Sequence, residues 1–306
     1  MMCFSISLGK KVNMIALINR NLLIYLRDKG TVFFSLLSVF IVVGLYILFL
    51  AQLQIDTIES SVPVVIPNKD MSWLINSWIV AGILSIIPIT SCLGSFGTMV
   101  SDREKKIMKD FRSSPLKPFI YPLSAVCSSG IIAYFMSLLA FVLYALYIYI
   151  DTGYSFSSKQ IGSTLGLMLL TSVFACCLMG FIASLFRTSS SFIALNIVIG
   201  TVIGFINGVY VPLGILPDAV QAVVKILPFG HSAVSFRQVL MPNALDQVFG
   251  NYPSEVVDSY RETYGLAYWI NGSEMGLWVS VTYLTVVAVL AFLLFVVSYS
   301  KQNQTK

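Results

Sequence analysis

The residues able to do chemistry are few and poorly spaced for it. His231 is the single histidine in 306 residues, so neither a histidine pair on a metal nor a Ser–His relay can be assembled. It reads as a structural or surface residue. Cys3, Cys92, Cys127, Cys176 and Cys177 have no metal-ligand spacing with a histidine, and all but Cys3 lie in or beside apolar runs. They read as small buried hydrophobes, not as ligands or a disulfide framework. No G-x-x-x-x-G-K-[ST] phosphate loop occurs, since Gly9-Lys10-Lys11 lacks the earlier glycine and the Ser/Thr. The chain is therefore expected to be no enzyme, to hold no metal and no cofactor, and to depend on another polypeptide for any uphill work. The apolar segments carry no ionisable residue, which argues against a proton- or ion-coupled carrier and against intramembrane proteolysis.

Two constellations remain. The first is the charged stretch 102–118. Asp102 and Glu104 stand at its start, with Lys105, Lys109 and Arg112 following, an order that suits a helix dipole. Ile107, Met108 and Phe111 fall at helical spacing and give it one apolar face, and Ser113-Ser114-Pro115 stops it. It is either a short docking helix or a solvated basic loop. The second is a stripe at four-residue intervals, Asn196, Gly200, Gly204 and Gly208, with Thr201 and Asn207 beside it, and a similar small-polar run from Thr90 through Gly94 to Thr98. Such stripes let helices approach closely. They serve packing within the chain, or a subunit interface or substrate path.

The elements that must position these residues are membrane spans. Hydrophobic residues make up 57% of the chain and charged ones 11%, with a mean hydropathy of +0.84. A soluble domain carries roughly 25% charge, so this is an all-α integral membrane protein. Six stretches are long and apolar enough to cross a bilayer, at 31–53, 71–100, 119–150, 161–186, 190–213 and 275–298, none with an Asp, Glu, Lys, Arg or His. With the N-terminus inside, 14 of the 19 basic residues and only 4 of the 14 acids fall on the inner side. Both termini, including the tail 301–306, are therefore expected in the cytoplasm; no nucleic-acid partner is implied. No cleavable signal peptide is expected, because Phe4–Leu8 is too short and Lys10-Lys11 follow it. Residues 1–13 read as a start-site extension and 14–300 as one transmembrane domain. Met14–Lys29, with Ile15, Ile18, Leu22 and Leu26 as its apolar stripe, reads as a helix lying on the inner leaflet, or else as a plain cytoplasmic extension of the first span. Residues 211–274 lie outside: Val211–Leu227, broken by Pro212 and Pro217, as a re-entrant or interfacial piece packed on protein, and Pro242–Glu274 as a small ordered elaboration.

Three segments together resemble the ABC-2-type transporter permeases, the membrane subunits of bacterial ABC exporters. They are NRNLLIYLRDKGTVFFSLLSVF running into the first span, DREKKIMKDFRSSPLKPFIYPLS between the second and third, and YVPLGILPDAVQAVVKILPFGHSAVSFRQVL after the fifth. Onto the last map Pro212, Pro217, Pro228 and Arg237 of the outer segment. Two departures are Lys106-Ile107 where the family's loop usually has Gly-Thr, and a longer stretch at 242–274. The resemblance implies a plasma-membrane permease pairing with itself or a sister permease and with two separate ATPase subunits, which hold the ATP and Mg. Residues 102–118 would be the coupling helix, and the second and fifth spans would form the path. The uncharged path favours a drug, an antimicrobial peptide or another amphiphile over an anionic cell-wall polymer or lipid-linked glycan. A non-transporting membrane scaffold or immunity protein is the alternative from another class.

Overall fold

The computed structural model describes residues 14–30, 67–107, 119–270 and 273–304, with Val32, Phe33, Leu37 and Gly44. Helix α1 is Met14–Arg27, α2 Asn68–Glu104, α3 Ile120–Thr152, α4 Ser158–Leu185 and α5 Ser189–Ile206. A 3-10 turn at Leu213–Ile215 leads to α6 (Asp218–Ile226), α7 (Pro228–Leu240), α8 (Pro242–Phe249) and α9 (Ser254–Thr263). A minimal antiparallel ladder pairs β1 (Trp269–Ile270) with β2 (Ser273–Glu274), and α10 (Leu277–Gln304) closes the chain. Five helices, α2 to α5 and α10, are long and apolar enough to span a membrane. They correspond to the second through sixth predicted spans; the first, 31–53, lies almost wholly outside the described residues.

Helix α2 is the central post. It packs against α3, α4, α5 and α7, and 89% of its most apolar window is buried, against 17% for α5. Apolar side chains all round α2 suit a helix enclosed by others. The exposed Ile193, Ile197, Val198 and Val202 of α5 suit lipid or another chain. The tight link from α3 to α4 follows from local chemistry. Gly153, at φ 81°, ends α3 in a left-handed cap, and a reciprocal capping box of Ser157 and Gln160 starts α4.

Several expected boundaries move. The fifth span ends at Ile206, not near 213, because Gly208 turns the chain at φ 61°. The re-entrant piece is a bent pair, α6 and α7, meeting at 86°, with Pro228 fitting the first turn of α7. The limb packed in protein is α7, against α2, α4 and α10, whereas α6 leaves Val220, Val223 and Ile226 exposed. Within 211–227 itself, Leu213 and Val224 are buried against Val234 and Tyr268, so the piece is packed on one face and apolar on the other. On α1 Leu17 and Tyr25 pack against protein, while Ile15 and Leu26 of the stripe read as facing the leaflet are exposed. Apolar pattern alone does not say which of two apolar faces meets protein.

Candidate functional site

A cavity of about 970 Å³ opens between α1, α2 and α5. Thr90, Gly94 and Thr98 line it from α2, and Asn196 and Gly200 from α5. Five of the eight path residues named from the sequence therefore share one wall. Gly97 joins them, and a Cβ built at Gly97 or Gly200 meets nothing within 4 Å. Among the described residues, then, these glycines border open space and no neighbouring helix closes on them.

The other three path residues do different work. A Cβ on Gly204 would sit 2.1 Å from the ring of Tyr210 in the same chain. Asn207 donates from Nδ2 to Ser85 Oγ at 2.7 Å, tying the end of α5 to α2. Gly208 makes the left-handed turn. The glycine stripe is thus cavity wall at one end and turn at the other.

One mouth of the cavity is held by three consecutive residues in the last turn of α2. Successive helix positions point about 100° apart, so each reaches a different element. Asp102 is buried and receives Arg20 Nη2 of α1 at 2.8 Å on both carboxylate oxygens. Arg103 donates to the Ser184 and Phe186 carbonyls, both at 2.6 Å, covering the C-terminal end of α4. Glu104 accepts from the Ser189 amide at 3.1 Å and from its hydroxyl, capping the start of α5. A cation at a helix C-terminus and an anion at an N-terminus both match the helix dipole. Ser189's hydroxyl, then its amide, hold the Glu104 carboxyl below the usual carboxylate range.

This corrects the reading of Asp102 and Glu104 as the start of a separate coupling helix. They end α2. The helix stops in a Schellman motif: Lys106 N–H bonds the Arg103 carbonyl at 3.1 Å, and Ile107 N–H bonds the Asp102 carbonyl at 3.0 Å. Lys106 takes the left-handed position at φ 61°, where glycine is usual. Lys105 and Ile107 line the cavity mouth. Met108, Lys109, Phe111 and Arg112 lie outside the described residues.

At the opposite end Arg237 of α7 is buried and donates to the carbonyls of Asn207 and Gly208, each at 2.9 Å, and of Gly265 at 3.2 Å. Its guanidinium carbon lies 4.7 Å from the Trp78 ring centroid, a cation–π contact. A planar fork suits carbonyls at the broken end of α5. Pro212, Pro217 and Pro228 stand at the starts of the 3-10 turn, α6 and α7. Gln160, not singled out from the sequence, donates to the Val239 and Leu240 carbonyls at 3.2 and 3.0 Å. Its readable cue was the S-x-x-Q capping box. His231 is structural: its ring nitrogens meet Ser280 Oγ at 3.1 Å and the Lys225 carbonyl at 3.0 Å.

The model of the ABC-2 family transporter proteins matches residues 68–297, from the start of α2 nearly to the end of α10. The chain belongs to that family. No curated protein matches it. As an ABC-2 protein it is a multi-pass membrane transport subunit, of a kind that works with an ABC ATPase.

Proposed function

We propose that this permease is the membrane half of an ATP-driven exporter. It moves a drug, an antimicrobial peptide or another amphiphile out of a bacterial cell. Two copies of a separate ATPase subunit hold the ATP and Mg, and the permease pairs with itself or a sister permease. Both termini lie in the cytoplasm. The segment beginning at Lys106 docks on the ATPase, with Met108 and Phe111 as apolar anchors and Lys109 and Arg112 setting orientation. Because that segment leaves the Asp102–Arg103–Glu104 turn directly, its displacement pulls on α1, α4 and α5 together.

One observation supports the substrate class. The cavity wall is hydroxyl, amide and apolar along Thr90, Gly94, Thr98, Asn196 and Gly200, and its charged groups are Arg20 of α1, Asp28 just after it, and Asp102 and Lys105 at the C-terminal end of α2 and its cap. A polar head can stay at the mouth while an apolar body enters. The test is ATP hydrolysis by the permease purified with its ATPase, titrated with amphiphilic drugs and peptides. Stimulation is expected, with none from the isolated permease. A complex indifferent to every amphiphile, or an isolated chain that hydrolyses ATP, sinks the reading.

A further inference from the structure

Helix α6 carries two faces at helical spacing. Asp218, Gln221 and Lys225 share one, and Val220, Val223 and Ile226 share another. Between them Val224 is buried against Leu213, Val234 and Tyr268. The face of Val220, Val223 and Ile226 is exposed among the described residues. The level of α6 in the bundle is set by α10. The Tyr283 hydroxyl donates to the Ile226 carbonyl at 2.6 Å, His231 Nδ1 meets Ser280 Oγ at 3.1 Å, and Gln238 donates to the Met275 carbonyl at 3.0 Å. Contacts that move forward along α7 thus move back toward the start of α10. The two helices run antiparallel, and α6, at 86° to α7, lies across the α10 axis. Tyr283 is six residues beyond Leu277, where α10 begins, so the corner between α6 and α7 sits about 9 Å along the span. Trp278 stands exposed at that start, where aromatic residues mark the edge of a bilayer. Val279 and Val286, about one turn either side of Tyr283, are exposed as well. The apolar face of α6 therefore continues the outer face of a helix long and apolar enough to cross a membrane.

We propose that α6 lies in the plane of the membrane, with Val220, Val223 and Ile226 among the phospholipid acyl chains of one leaflet and Asp218, Gln221 and Lys225 toward the headgroups. An in-plane amphipathic helix buries its apolar face about 5–10 Å into the boundary between headgroups and chains, the level at which Tyr283 holds the corner. The three stripes take three directions, Val224 into the protein, the polar residues toward water and the exposed valines and isoleucine into lipid. A helix running along the bundle axis would carry Val220 and Ile226 to depths about 9 Å apart; lying crosswise, it holds all three apolar residues at one depth. The placement holds whatever molecule the permease transports.

The probe is one added tryptophan, Val220→Trp, Val223→Trp or Ile226→Trp, in the full-length permease in phosphatidylcholine nanodiscs, with the emission of the four native tryptophans subtracted. One lipid is brominated on its acyl chain near the glycerol and a second near the methyl end; acrylamide reports water. Each added tryptophan should lose most of its emission to the shallow bromine, less to the deep one and little to acrylamide, and the three should agree. Asp218→Trp, on the polar face, should instead be quenched chiefly by acrylamide. The wild type supplies a readout without substitution: phosphatidylcholine with a diazirine near the glycerol end of its acyl chain should label Val220, Val223 or Ile226 on illumination. Quenching by neither agent, which a second copy or a covering protein would give, would overturn the proposal. So would quenching of the apolar face chiefly by acrylamide or by the deep bromine, a depth that changes stepwise from Val220 to Ile226, or a wild-type α6 that takes up no lipid label.

Discussion

Arg20 Nη2 sits 2.8 Å from both carboxylate oxygens of Asp102, 82 residues later. The pair fastens α1 to the C-terminal end of α2, and its two members are unequally buried, with side-chain exposures of 28% and 7%. Removing Arg20 leaves a buried carboxylate without its cation; removing Asp102 leaves an arginine that water can reach. Arg20→Ala should therefore cost about 3 kcal/mol and Asp102→Ala about 1 kcal/mol, the second discounted for solvent. The double change to leucine should cost less than Arg20→Ala alone. Thermal unfolding of the purified permease measures all three, and equal losses for the two single variants would contradict the unequal burial.

The contact of Glu104 with Ser189 should weaken in acid. The folded carboxyl titrates below its ordinary value near 4.5. Its contribution is then present above that value and is lost as pH falls through the lower folded pKa. Hydrogen exchange at the start of α5, corrected for intrinsic rate, should lose protection on acidification below that range. In Glu104→Gln the protection should be weaker at neutral pH and change little with acid. A pH-independent wild type would show that Glu104 does not hold the helix start.

Lys106 occupies a left-handed position at φ 61° with no glycine to ease it. For an ordinary residue this conformation costs about 1–2 kcal/mol. Lys106→Gly should raise the stability of the permease by about 1 kcal/mol, and Lys106→Val should lower it, both read from unfolding midpoints. A destabilising Lys106→Gly would mean that the lysine side chain contributes more than the strained backbone costs.

Gly204 distinguishes packing within the chain from packing between chains. Any added Cβ meets the ring of Tyr210. Gly204→Ala should destabilise the isolated permease, and Gly204→Ala/Tyr210→Ala should recover most of the loss. Were the glycine at a subunit interface instead, the single variant would impair assembly while leaving protomer stability intact.

How far the sequence reached depended on the range of the interaction concerned. Spans two to six were readable because their charges are confined to the ends, and the α4 start because Ser157 and Gln160 are local partners. The end of α5 was misjudged because its apolar run continues through Val209–Leu213, while the stop is conformational, at Gly208 and under Arg237. Arg20–Asp102 and Arg237–Trp78 were out of reach, since nothing local marks partners 82 or 159 residues apart. The cavity itself was half legible. The stripes on α2 and α5 were visible as small residues, yet only packing shows that Gly94 and Gly200 border space and Gly204 does not.

The central claim is that the cavity between α2 and α5 is the route of an ATP-powered permease. Its most direct test is uptake of a fluorescent amphiphile into inside-out vesicles containing the permease and the ATPase that purifies with it, with and without Gly97→Trp. Uptake should require ATP and should vanish in Gly97→Trp while the ATPase stays bound. Uptake that proceeds without ATP, or that Gly97→Trp leaves intact, would contradict it.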